Sequence, residues 1–218
     1  MFLLFFEHKH PTGKKQYSSF HYSKERFLKQ YYYGEEQESC YLDLGKRLGT
    51  ALQFRDKKEI PVINKIRKQI PEADIYEYEI KTTFKQIPLL CYLDGFSKKD
   101  YEVMEFKTGK LSSEKSWREQ QLFYALALYM KHKKLPNKTT LYWAKTLFNE
   151  NDQLVLTGDV KKYDIKITMN DVIQFSDDLV KTYRDIVKVC EEEYQQFGIL
   201  PAKRSANGRN NHNNKLKK

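Results

Sequence analysis

Apolar residues recur along much of the chain at the spacing of helices that bury one face. Leucines four residues apart predict a helix over residues 41–55, with a buried stripe formed by Leu44, Leu48 and Leu52. A shorter helix is predicted over residues 22–33, where Gly34 ends the pattern. Another is predicted over residues 62–70, because prolines bracket that segment.

Two longer helices are predicted in the second half of the chain. Ser116 and Glu119 fit a capping box, which predicts a helix that begins at Ser116 and runs to about His132. A further helix is predicted from Thr168 to near Gly198. Its buried stripe would consist of Val172, Phe175, Leu179, Tyr183, Ile186 and Cys190.

Strand-like segments lie between these helices. Residues 74–84 alternate between the two faces, residues 88–96 are more apolar and predict a central strand, and residues 101–107 predict a third strand. Short polar turns join the three, so we expect them to form a meander. Further strands are predicted over residues 139–148 and 154–168.

Length and composition indicate a single folded domain, and the net charge indicates an anionic partner. The 218 residues are 40% hydrophobic, which suits a single folded domain over residues 1–202. The formal net charge of +10 indicates nucleic acid first and an acidic membrane surface second, although a lysine-rich solvated surface explains it equally well. Residues 203–218 hold six Lys or Arg, five Asn and no acid, which predicts a disordered basic tail.

Other classes of protein are disfavoured by what the sequence lacks. Cys40, Cys91 and Cys190 are far apart, so neither a zinc site nor an iron–sulfur cluster is indicated, and free thiols suit a reducing cytoplasm. The apolar run at residues 2–6 is too short to span a bilayer. We therefore expect a soluble cytoplasmic protein with no membrane partner, and the absence of a phosphate-binding loop gives no sign of an ATPase motor.

Candidate chemistry lies where the second and third strands of the meander end. Asp94 closes the apolar strand, and Glu105 and Lys107 stand two residues apart on the next one, so both point to one face. Two carboxylates held together repel unless a cation neutralises them, and oxygen ligands favour Mg²⁺ or Mn²⁺. Lys107 would orient or help to activate a metal-bound water, and would stabilise charge that grows on a phosphate. The same pattern also arises by chance in a chain that is 31% charged.

The surrounding residues resemble the PD-(D/E)XK nuclease superfamily, in particular its RecB-like exonuclease branch. The resemblance covers about residues 20–130 and rests on four motifs in the family's order. They are LGTAL at 48–52, LCYLDG at 90–95, MEFKTG at 104–109 and QQLFY at 120–124. It implies a restriction-endonuclease-like α/β core, a mixed sheet flanked by helices, without the iron–sulfur cysteines of Cas4-like relatives.

The same resemblance implies roles for individual residues. Asp94 and Glu105 would be metal ligands together with the backbone carbonyl of Phe106, and Lys107 would be the catalytic lysine. Whether a second metal ion is held stays open.

The resemblance also covers the helix that follows. Gln120 would organise the lysine or contact the DNA backbone, with Tyr124 beside it. One helix face carries both residues, because they are four apart.

One departure from the family pattern bears on activity. Gln53 stands where the family usually has a metal-binding His, and an amide oxygen is a weaker ligand for a hard cation. Either Gln53 coordinates the metal, or a nearby acid does, or the site works with fewer ligands.

The leading hypothesis is a metal-dependent DNA nuclease of recombination, repair or phage DNA metabolism, acting with a helicase or recombination partner. A DNA-binding scaffold that keeps the fold without cleavage, an RNA-directed member and a coincidental match are the alternatives.

Overall fold

The computed structural model describes residues 12–35, 40–54, 61–111 and 113–198. The predictions for the apolar run at residues 2–6 and for the basic tail at residues 203–218 therefore lie outside the described residues. Within the described ranges, six strands form one sheet. They are β1 Thr12–Gly13, β2 Ile75–Phe84, β3 Ile87–Ser97, β4 Glu102–Thr108, β5 Lys138–Phe148 and β6 Leu154–Ile165.

Helices cover the sheet on both faces. They are α1 Lys14–Tyr22, α2 Lys24–Phe27, α3 Cys40–Phe54, α4 Pro61–Arg67, α5 Glu114–His132 and α6 Met169–Phe197, and a π-helical turn, Leu28–Tyr32, continues α2. Among the described helices none is both long enough and apolar enough to cross a bilayer.

The strand β3 organises the sheet. It pairs with β2 in antiparallel register from Ile87 to Phe96, with a gap at Asp94, and on its other side it pairs with β1 near its start and with β4 at its end. β4 then runs parallel to β5, which pairs with β6 in antiparallel register. The predicted meander of β2, β3 and β4 and the predicted mixed sheet between helices are both confirmed.

Alternation along β4 divides the core into two layers. Val103 belongs to a cluster with residues of α5 and α6, among them Phe123 and Leu179. Its neighbour Met104 points to the opposite face, where it packs with Leu48 of α3 and with residues of α4. Helices on both faces therefore hold β4 rigidly, and this strand carries two of the three residues at the centre of the predicted site.

Helix boundaries agree with the sequence pattern in most places. The six stripe residues predicted for α6 are all buried, Thr168 caps its first turn with Asp171, and Gly198 ends it in a left-handed conformation (φ 67°). The helix α1 was not predicted. β6 ends at Ile165 rather than at residue 168.

The predicted N-cap of α5, Ser116, was wrong by three residues. The helix begins at Glu114, and Ser113 is its N-cap. Ser116 is the third helical residue, and its backbone N–H donates to the Ser113 side chain. Ser113 is the cap and Ser116 is not, because an N-cap residue lies immediately before the first helical turn.

Ser113→Ala should lower the free energy of unfolding by about 0.5–2 kcal/mol, since it removes the side-chain acceptor that caps the first turn. Ser116→Ala is the matched control and should leave stability within about 0.5 kcal/mol. Urea unfolding of both variants measures the difference. Equal losses in the two variants would contradict the assignment of the cap.

Candidate active site

The strands β3 and β4 separate at the level of the predicted acids. Their ladder ends at the pair Gly95 and Met104, and the next pair along would be Asp94 with Glu105. Instead, Asp94 Oδ2 accepts a hydrogen bond of 2.9 Å from the backbone N–H of Phe106. The Asp94 carboxylate thus takes the place of a backbone partner at the point where the two strands part.

Glu105 is the centre of a polar network under the sheet. It is 2% exposed, and its Oε1 accepts a short hydrogen bond from Lys107 Nζ. Its other oxygen, Oε2, accepts a hydrogen bond of 3.1 Å from the hydroxyl of Tyr124. Gln120 Nε2 in turn donates to that hydroxyl over 2.7 Å. Both oxygens of a buried carboxylate are therefore satisfied, as burial demands.

Local geometry explains why these side chains meet. Glu105 and Lys107 share a face because they are two apart on β4, and Gln120 and Tyr124 share a face because they are four apart on α5. Buried Trp117 and Leu128 lie on the same side of α5, so the helix packs this face onto the sheet. The structure brings together Asp94 and the four residues of this network, and their chemical roles stay predictions.

The pKa values reflect an excess of negative charge. Burial, and then repulsion from Glu105, raise the pKa of Asp94 to about 7. Burial alone would lower the pKa of Lys107, but the Glu105 and Asp94 carboxylates outweigh it and raise that pKa above its ordinary value. The Lys107 ammonium thus faces two carboxylates, a buried one on Glu105 and a half-buried one on Asp94, so the cluster keeps an excess negative charge that a cation would neutralise.

The donor atoms suit a hard divalent cation. The N–H and C=O of one residue in an extended strand point to the same side, so the Phe106 carbonyl faces the opening between β3 and β4, as its N–H does. Two carboxylates and a carbonyl are oxygen ligands of the kind Mg²⁺ prefers. Within the described ranges no three His, Cys, Asp or Glu side chains converge to hold a metal, so water would complete the shell.

Gln53 does not join this group. Its side chain is exposed, in the last turn of α3. The helix runs close to the end of β4 at Gly45, where an added methyl group would lie 3.4 Å from Thr108 Oγ1. Gln53 is eight residues further on, roughly 12 Å along the helix axis. Its predicted role as a metal ligand stays a prediction.

The structure places another acid, Glu77, at the same level of the sheet. The pairs Tyr76–Gly95 and Tyr78–Leu93 flank a gap in the ladder, and the register puts Glu77 opposite Asp94 within it. Glu77 has a positive φ of 50°, a strained conformation for a residue other than glycine. Glu77, Asp94 and Glu105 thus occupy neighbouring positions on three adjacent strands.

Sequence reasoning treated Glu77 only as one residue of an alternating strand. The sequence offers no strong signal for it: the strands are joined by a two-residue turn at Lys85 and Gln86, which both have positive φ, but Lys-Gln is not a residue pair that marks such a turn. Counting back from that turn pairs Glu77 with Asp94.

Comparisons with known proteins bear on the fold. No protein-family model matches the chain, and no curated protein matches its sequence. A solved structure from Eubacterium rectale, described as a "Putative exonuclease", is similar with a TM-score of 0.53 and 13% sequence identity. The similarity covers 96% of this chain and 90% of that one. The two proteins share the α/β fold, which confirms the predicted fold class.

Asp94→Asn should stabilise the protein in EDTA, and more at pH 8 than at pH 5. The folded state raises the pKa of Asp94 above its unfolded value of 3.8, so folding favours the protonated form. The wild type therefore loses stability as pH rises from about 4 to about 7, whereas Asn does not titrate and still accepts from Phe106. A gain of about 1–3 kcal/mol at pH 8 corresponds to several degrees in Tm.

Thermal unfolding of both proteins at the two pH values measures this difference. Asp185→Asn, an exposed change on α6, is the control and should shift Tm little at either pH. A lower Tm for Asp94→Asn at pH 8 would show that the carboxylate pair is not repulsive.

Proposed function

We propose that the chain is a Mg²⁺- or Mn²⁺-dependent nuclease that hydrolyses phosphodiester bonds in DNA, related to the RecB-like branch of the PD-(D/E)XK superfamily. The observation that carries this proposal is the network of Asp94, Glu105, Lys107 and Tyr124 where β3 and β4 part. The fold shared with a protein described as an exonuclease supports it.

Each residue of the network has a distinct task in this proposal. Asp94, Glu105 and the carbonyl of Phe106 would hold the divalent ion. When bound, that ion would polarise a phosphoryl oxygen and lower the pKa of a water molecule. Tyr124 holds Glu105 Oε2 by its hydroxyl, and Gln120 holds Tyr124, so the carboxylate keeps one orientation without the ion.

In this proposal Lys107 acts on the substrate. Its side chain is 32% exposed, whereas Glu105 beneath it is 2% exposed. The ammonium therefore contacts the buried carboxylate and is still open to solvent, where a phosphate would arrive. An ammonium there would stabilise negative charge on the phosphate and help to orient the attacking water molecule.

The net charge of +10 supports a polyanionic partner and association steered by charge. We propose DNA as that partner, with a helicase or recombination protein supplying any motor function, and the cytoplasm as the site of action.

A second candidate function is DNA binding without cleavage. The position of Gln53 favours it, because the exposed amide lies outside the cluster, although the resemblance expects a metal ligand at that residue. This alternative makes the protein a scaffold that keeps the nuclease fold. Cleavage assays separate the two functions.

Purified protein should cleave linear DNA with Mg²⁺ or Mn²⁺ and not with EDTA. Lys107→Ala should reduce kcat by about 10²–10³-fold, because it removes a charge that acts on the transition state. Asp94→Ala should abolish cleavage. Lys99→Ala, an exposed lysine on a turn, should retain activity.

Cleavage that survives in Asp94→Ala would exclude this site. Binding of DNA without cleavage would establish the scaffold instead. Preferential cleavage of RNA over DNA in the same assay would assign the RNA-directed alternative.

Glu77→Gln should weaken divalent-ion binding by about tenfold, since it removes a carboxylate opposite Asp94 that would contact the ion through a water molecule. Calorimetric titration with Mn²⁺ measures the affinity. Glu79→Gln is the matched control, because Glu79 is on the same strand but interacts with Lys81 and Tyr92. Equal affinities for the two variants would exclude Glu77 from the site.

A further inference from the structure

A basic and aromatic row crosses the sheet beside the candidate site. Lys107 of β4 lies opposite Trp143 of β5, and Trp143 lies opposite Lys161 of β6. Residues opposite one another on neighbouring strands point to the same face, so the three side chains share the face on which Lys107 contacts Glu105. The row spans two strand spacings, roughly 10 Å.

The helix α5 covers the sheet next to this row. Two residues before Trp143 on β5, Leu141 lies opposite both Glu105 and Tyr163. Trp117 from the first turns of α5 packs against Leu141, and its ring lies 5.5 Å from that of Tyr163. The row of Lys107, Trp143 and Lys161 lies two residues further along the strands, beyond the position that Trp117 covers. Trp143 is half-buried and Lys161 is exposed, so the row is accessible to a ligand.

The ring of Trp143 is held in a defined orientation. Its Nε1–H donates a hydrogen bond of 2.7 Å to the carbonyl of Gly109, in the loop that follows β4. The Lys161 ammonium lies 6.0 Å from the ring centroid, at the outer limit of a cation–π contact. A fixed aromatic ring beside a loosely held ammonium is an arrangement that binds a base and its phosphate together.

We propose that this row binds a single strand of nucleic acid as it leaves the candidate site, with a base against Trp143 and the next phosphates at Lys161. The inference rests on the proposed function, because it takes the phosphate at Lys107 as its origin. A half-buried ring can stack only on an unpaired base, since bases inside a duplex are already stacked on one another. The substrate would therefore be single-stranded DNA or a duplex with a frayed end.

The sequence contains its own control for this surface. Lys162 follows Lys161 on β6, but alternation directs it to the opposite face, opposite Tyr142. There it forms an ion pair of 3.2 Å with Asp164. The two neighbouring lysines have the same charge but point to opposite faces of the sheet.

Binding is tested in EDTA on proteins that carry Asp94→Asn, so that no strand is cleaved. Fluorescence anisotropy would measure affinity for a labelled oligothymidine and for a blunt duplex with hairpin ends, over a series of salt concentrations. Each variant is first checked for an unchanged Tm.

Trp143→Leu should weaken oligothymidine binding by about 5- to 100-fold and leave duplex binding nearly unchanged, whereas Trp143→Phe should keep most of the affinity. Lys161→Gln should weaken binding and reduce the salt slope by about 0.7, and Lys162→Gln should change neither.

The inference is overturned if Lys161→Gln and Lys162→Gln behave alike, or if Trp143→Leu weakens single-strand and duplex binding equally. Its failure can be separated from that of the proposed function by cleavage assays on proteins that keep Asp94. Metal-dependent cleavage that is unaffected by Trp143→Leu and Lys161→Gln would reject the row and keep the nuclease. Absence of cleavage, with single-strand binding that depends on both residues, would reject the nuclease and keep the row.

Discussion

The repulsion between the buried carboxylate of Glu105 and the half-buried carboxylate of Asp94 is the constraint on which the rest of this structure depends. Asp94 and Glu105 lie where β3 and β4 part, and burial strengthens every electrostatic interaction between them. Lys107, Tyr124 and the Phe106 amide together hold the pair in place. This carboxylate pair costs free energy that apolar side chains would not, and the packing on both faces of the sheet offsets that cost.

The surrounding architecture serves to hold that pair. Apolar clusters on both faces of the sheet fix β4, and buried residues of α5 fix the helix that supplies Gln120 and Tyr124. By contrast, the cleft of about 440 Å³ between α1, α5 and α6 is lined by none of the predicted site residues. The candidate site is therefore marked by its electrostatics and by the parting of two strands, and not by the shape of a deep pocket.

Local periodicity explains what could be predicted from the sequence. The stripe of α6 and the shared faces of Glu105 with Lys107 and of Gln120 with Tyr124 depend on spacing within one element, and the structure has all of them. The helix α1 was missed because its short segment KKQYSSFHY has a weak apolar stripe. The position of Glu77 depends on pairing between strands, and that of Gln53 depends on how α3 lies on the sheet, and neither is a local property.

The parallel pairing of β4 with β5 requires a connection that crosses the sheet between the two strands. A chain cannot place a parallel strand beside its predecessor without a crossover, and here the crossover is α5. The helix that supports Glu105 is thus obligatory for the connectivity of the sheet, whatever it carries on its surface. Support for the carboxylate required only two side chains, Gln120 and Tyr124, on a helix that the topology already demanded, so the site could arise without any change of fold.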